Sequence, residues 1–213
     1  MVEPEVTSRS EKVTTAPILG IWDGHDAGAA VIRGGRVVAA VSEERLGRIK
    51  QQGGMPRRAI AVALALAGAS AEEVGIVAVA GSVGRFPARL LDRRYAAIAP
   101  QSIDAASPAA RLFAAWQNGI ARVPGVRALE TAGSRLSLGR HLAGLGLAGA
   151  RLHLVDHHRA HAETAAAAVG GRRALLVTMD GYGDGQAMTV WEVDGSRLSL
   201  RLRCGPDGSP ALV

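Results

Sequence analysis

The sequence predicts an α/β fold: a mixed sheet with a β-meander and flanking helices. Short apolar runs separated by turn residues open the chain, and strand and helix patterns alternate in its second half. The 213 residues are 48% hydrophobic, enough to bury a core without disulfide staples. Ile18 to Trp22, Gly28 to Ile32 and Val37 to Val41 read as three strands, with Gly34-Gly35 as the hairpin turn between the last two. Met55-Pro56 then opens a helix carrying Ile60, Val62, Leu64 and Leu66, which Gly68 closes. Ser70 and Glu73 have capping-box spacing and predict one more helical turn before a strand from Gly75 to Ala80.

Ser107-Pro108 starts a predicted helix with Leu112, Phe113, Trp116 and Ile120, and a glycine-interrupted segment from Leu136 to Leu147 reads as a weaker one. Arg151 to Asp156 reads as a strand, His157 to Val169 as an Ala-rich helix and Ala174 to Asp180 as a buried strand. Gly181 to Gly185 reads as a turn. Ala187 to Val193 and Ser196 to Leu202 then pair as a hairpin over Asp194-Gly195. Trp22, Trp116 and Trp191 read as core residues. Residues 1 to 16 read as a disordered tail ahead of a domain spanning 17 to 213.

The formal charge is +6, but the arginines are scattered and aromatics make up only 3%, so neither the basic stripe nor the stacking platform of a nucleic-acid binder is present. No run of about 18 apolar residues could span a membrane. The single cysteine, Cys204, has no internal partner, and the N-terminal residues lack an apolar signal sequence; a reducing cytoplasm is the expected compartment.

Three of the six histidines fall within Asp156-His157-His158-Arg159-Ala160-His161. On a helix, His157 and His161 stand one turn apart on one face, a separation at which two imidazoles can share a metal ion; His158 points elsewhere. Asp180, at the end of the following strand, is the natural third ligand. Two histidines and a carboxylate leave open positions and suit Fe(II), Zn(II) or Mn(II). The same spacing also occurs in surface pairs without metal. The H-E-x-x-H order of metalloproteases is absent.

Two strand-turn-strand units, IWDGHDAGAAVI and VTMDGYGDGQAMTV, each place Asp-Gly between strands. Such turns can aim backbone N–H groups at a phosphate, although Asp-Gly turns are also common in hairpins that bind nothing. His25, in the first unit, could serve an oxyanion or act as an acid; taken alone it reads as a turn histidine bonded to a neighbouring carboxylate. Glu43-Glu44-Arg45-Leu46-Gly47-Arg48-Ile49-Lys50 reads in isolation as an exposed salt-bridged loop.

Together, the His-Asp turn after the first strand, the S-E-E-R loop with its downstream lysine and Pro-Arg helix start, and D-H-H-x-x-H-A followed by Asp-Gly-x-Gly-Asp resemble the O-carbamoyltransferases of the nodulation and antibiotic-tailoring type. The resemblance covers about 17 to 60 and 150 to 195. It implies an actin/Hsp70/sugar-kinase-like (ribonuclease H-like) fold, in the branch shared with the tRNA threonylcarbamoyladenosine enzymes. It further implies His157, His161 and Asp180 as metal ligands, with Fe(II) favoured. His25 and Lys50 would hold a carbamoyl-adenylate, and Asp180, Gly181, Tyr182, Gly183 and Asp184 would form a second phosphate-facing turn.

The implied substrates are ATP, carbamoyl phosphate and a small hydroxylated natural product or sugar. Family members are longer: a second actin-like half with a further acidic ligand, and a C-terminal adenylate-forming domain, are missing from these 213 residues. The domain is therefore expected to be an incomplete first half, alone or paired with a separately encoded portion. Two other readings are a non-catalytic metal- or nucleotide-binding module and a tRNA-modifying relative. The second is disfavoured because the late turn reads Asp-Gly-Tyr-Gly-Asp rather than a Ser-Gly-Gly-His type. The oligomeric state stays open, a homodimer included.

Overall fold

The computed structural model describes residues 16–81 and 124–205. Strands β1 (Ile18–Trp22), β2 (Gly28–Arg33) and β3 (Arg36–Ser42) form the predicted meander, joined between β2 and β3 by Gly34-Gly35 with φ of 57° and 75°. Positive φ at both loop residues is what a two-residue hairpin of this twist requires, and glycine supplies it without strain. A short helix α1 (Glu43–Gly47) and helix α2 (Arg57–Leu66) follow, then strand β4 (Ile76–Ala80). The chain continues through helix α3 (Pro124–Ala143), strand β5 (Arg151–Val155) and helix α4 (His157–Val169). It finishes with strands β6 (Ala174–Gly183), β7 (Gln186–Asp194) and β8 (Arg197–Cys204).

There are two sheets among the described residues. The first has order β3-β2-β1-β4-β5: β4 and β5 extend the antiparallel meander with parallel pairing, giving the predicted mixed sheet. Alternation along its strands turns Leu19, Ile21, Ala29, Val31, Val77 and Val79 to one face, where they pack on Ile60 and Leu64 of α2 and Leu138 and Leu142 of α3. The second sheet, β6-β7-β8, is antiparallel and packs Leu176, Trp191 and Val193 against Ala162 of α4. Among the described residues no helix is long and apolar enough to cross a membrane.

Several sequence expectations shift. Ser70 N–H does donate to the Glu73 carboxylate at 2.7 Å, but the residues that follow form a turn, not a helix. The Leu136 segment is the end of a 20-residue helix. The hairpin loop is Gly195-Ser196, because Asp194 pairs with Arg197. The expected turn from Gly181 begins later: β6 runs to Gly183, with a register break after Met179, and the tight turn is Asp184-Gly185. The helix predicted from Ser107, with Trp116, and most of residues 1 to 16 lie outside the described residues.

The Glu43–Lys50 run is not simply an exposed loop. Glu43 is buried, and its carboxylate accepts from Ala59 N–H at 2.7 Å and Arg58 N–H at 3.4 Å. These are first-turn donors of α2 with no partner inside the helix, and Pro56 at its N-cap offers no side-chain acceptor. Glu43→Ala should therefore cost about 1–3 kcal/mol in a denaturant titration, and Glu43→Gln less, because the amide oxygen still accepts.

Candidate functional site

Helix α4 starts directly at the end of β5. Asp156 caps it, its Oδ1 accepting from Arg159 N–H at 3.0 Å. One turn of helix then sets His157 and His161 on a shared face, with their Nε2 atoms 3.1 Å apart. Asp180, in the stretch where β6 loses its register with β7, turns its carboxylate toward them. Oδ2 of Asp180 is 2.6 Å from His157 Nε2 and 3.9 Å from His161 Nε2. All three predicted ligand residues thus converge, one atom from each lying within 4.8 Å of the others.

His157 is buried, and that burial holds its imidazole below the ordinary pKa, with the nearby His161 charge acting in the same direction. The hydrogen bond to Asp180 and the charges of Asp180 and Asp184 pull the other way without cancelling the effect of burial. The ring is therefore poised to be neutral near pH 7, the form whose lone pair can bind a cation. Two Nε2 atoms at 3.1 Å beside a carboxylate oxygen need a proton or a cation among them. Two imidazoles and one carboxylate with open positions fit a borderline divalent ion.

Both Asp-Gly units reach His157. From the second, buried Asp184 accepts the backbone N–H of His157 at 3.0 Å, and Gln186 Nε2 donates to Asp156 at 3.1 Å. Asp184, expected to face a phosphate, is turned toward the start of α4. Gly183 lies directly under the His157 ring, where any Cβ would overlap the imidazole. Gly181 and Tyr182 fall within β6. From the first unit, the Trp22 ring lies 5.0 Å from the His157 ring and 6.0 Å from that of His25, and its Nε1 donates to the His25 carbonyl at 2.5 Å. Trp22 is therefore a wall of the site, not the core residue expected; strand alternation places it on the face opposite Leu19 and Ile21. Trp191 is buried as expected.

The expected catalytic pair sits further out. His25 is exposed and its Nδ1 pairs with Asp26 at 2.9 Å, the local arrangement expected of a turn histidine. The Lys50 ammonium, on an exposed side chain, lies 3.6 Å from Glu44 Oε1. Its loop is nonetheless tied to the first turn: Ala27 N–H donates to the Gln52 carbonyl at 2.8 Å and Gly54 N–H to the Asp23 carbonyl at 3.3 Å. The structure thus anchors the Lys50 loop beside the His25 turn and puts neither side chain in the His157–His161–Asp180 cluster.

Residues 17–202 match the model of the carbamoyltransferase N-terminus. The chain belongs to that family. It is 31% identical over 160 residues to the nodulation protein NolNO of Sinorhizobium fredii, covering 75% of this chain and 20% of that protein. It is 29% identical over 179 residues to an uncharacterized protein of Synechocystis sp., covering 82% of this chain and 27% of that one. The chain thus spans between a fifth and about a quarter of these curated relatives. Among solved structures, it is similar to YeaZ from Pseudomonas aeruginosa, with 13% identity and a TM-score of 0.39 over 91% of this chain and 68% of that one.

The packing at Gly183 gives a direct test of the site's geometry. Gly183→Ala should drive the His157 ring away from Asp180, at a cost of about 1–3 kcal/mol in a denaturant melt, as overpacking does. The imidazole resonances of His157 should move in the same variant.

Proposed function

We propose that these residues form the N-terminal part of an ATP-dependent O-carbamoyltransferase that passes a carbamoyl group from carbamoyl phosphate, through a carbamoyl-adenylate, to a hydroxyl of a small natural product or sugar. The observation that carries this reading is the meeting of His157, His161 and Asp180 between two Asp-Gly turns, in a member of the carbamoyltransferase N-terminus family. His157, His161 and Asp180 would hold a divalent cation, Fe(II) in preference to Zn(II) or Mn(II). When bound, that cation supplies Lewis-acid polarisation of phosphoryl and carbonyl oxygens.

The chain's own groups do the rest. Lys50 offers three N–H donors to a phosphate, and its long side chain, anchored at the loop beside the first turn, can swing toward bound nucleotide. His25, paired with Asp26, would take or return a proton at the end of that turn. The tight turn at Asp184-Gly185, just past the end of β6, would be the second phosphate-facing turn. In the transfer step the acceptor oxygen bonds to the carbamoyl carbon, the bond from that carbon to the adenylate oxygen breaks, AMP leaves and the hydroxyl proton passes to a base. ATP, carbamoyl phosphate and the acceptor are the partners of this reading, and the cytoplasm its compartment.

Protein carrying these residues, incubated with carbamoyl phosphate, ATP and hydroxylated acceptors, should release AMP and form a carbamate ester. Folded protein that yields neither overturns the assignment. A second reading, that the 213 residues bind metal and nucleotide without turnover, rests on the same His157–His161–Asp180 cluster. Equilibrium dialysis separates the two: binding that is lost in His161→Ala and Asp180→Ala, with no AMP produced, supports the binding module. Each of those substitutions should weaken divalent-metal affinity by about 100-fold, since each removes one of three protein donors.

A further inference from the structure

Adjacent to the cluster but pointing away from it, His158 is completely buried. Its Nδ1 lies 2.7 Å from Thr178 Oγ1, and its Nε2 lies 3.1 Å from the Gln186 carbonyl. Thr178 Oγ1 is in turn 2.6 Å from Thr189 Oγ1, which is 2.6 Å from Trp191 Nε1. The chain of contacts runs from the middle of the second sheet to the first turn of α4.

The two ends fix the direction of the outer two hydrogen bonds. Indole N–H can only donate and a backbone carbonyl can only accept. Trp191 therefore donates to Thr189 and His158 Nε2–H to Gln186; with Nδ1 accepting, Thr178 donates to His158 and Thr189 to Thr178. Four protons fill four hydrogen bonds.

We propose that His158 is a positioning residue for the neighbouring cluster: an imidazole, donating from Nε2 and accepting at Nδ1, that ends a hydrogen-bond relay from Trp191 and locks the first turn of α4 onto β6 and β7. The lock acts on all three converging side chains. His157 and His161 lie on the helix that His158 anchors, and Asp180 lies two residues beyond Thr178 on the strand to which it is anchored. This role rests on the proposed reading of that cluster as a metal site.

The test uses the 213-residue chain with Co(II) as the probe, followed by its visible absorption, alongside denaturant titrations without metal. Thr178→Val removes the central hydroxyl and should weaken Co(II) binding by about 10-fold or more, while Thr178→Ser should restore it to near the wild-type value. A valine variant that loses stability but binds Co(II) as tightly as wild type would overturn the positioning role. Wild-type protein that binds no Co(II) overturns the metal reading itself, and the positioning role with it. Nitrogen NMR of wild-type His158 is an independent measurement that holds even if Thr178→Val fails to fold. A ring protonated at Nε2 with an accepting Nδ1 is expected; a proton on Nδ1 would overturn the relay.

Discussion

One imidazole holds the site together. His157 shares Nε2 with both Asp180 and His161, gives its backbone N–H to Asp184, rests its ring on Gly183 and packs against Trp22. These contacts come from separate parts of the chain, so a single side chain gathers the end of β1, the start of α4 and the end of β6. Burial makes the arrangement sensitive to its neighbours: a ring removed from water resists charge, while the nearby carboxylates favour it.

The internal echo in the sequence takes on a spatial meaning here. The two Asp-Gly units lie far apart in the chain, yet both meet His157, one through Trp22 and the other through Asp184. Their roles are unequal. The first unit presents His25 to solvent and is backed by the Lys50 loop, whereas the second turns its last carboxylate inward as a helix anchor. Similar sequence patterns have been fitted to opposite duties, display in one case and support in the other.

Much of this is legible from residue order. The 3.6-residue period places His157 and His161 together, and chain direction brings Asp180 back to them, because both conclusions depend only on local geometry and a short connection. The parts that stay hidden depend on contacts between distant segments. Glu43 reads as one charge in a charged run until α2 presents unpaired N–H groups to it. Asp184 reads as a turn carboxylate until α4 begins beside it. Trp22 departs from expectation for another reason: large aromatic rings are normally buried, but its position in the β1 alternation already sets it on the open face. The late turn slides because β6 continues past the point at which Asp180 leaves the regular ladder.

Charge is handled by a narrow choice of residue. Lys12 and Lys50 are the only lysines, and arginine supplies the remaining permanent side-chain cations. Some of those arginines are committed in pairs, as where Arg173 and Arg201 both hold Glu192. Guanidinium groups do not react with acylating reagents, but an exposed primary amine does. Lys50 is such an amine, carried on a loop stitched to the His25 turn. Amine-directed labelling would therefore install a dye or cross-linker there with Lys12 as the sole competing side chain, giving the His25 end of the molecule a built-in attachment point.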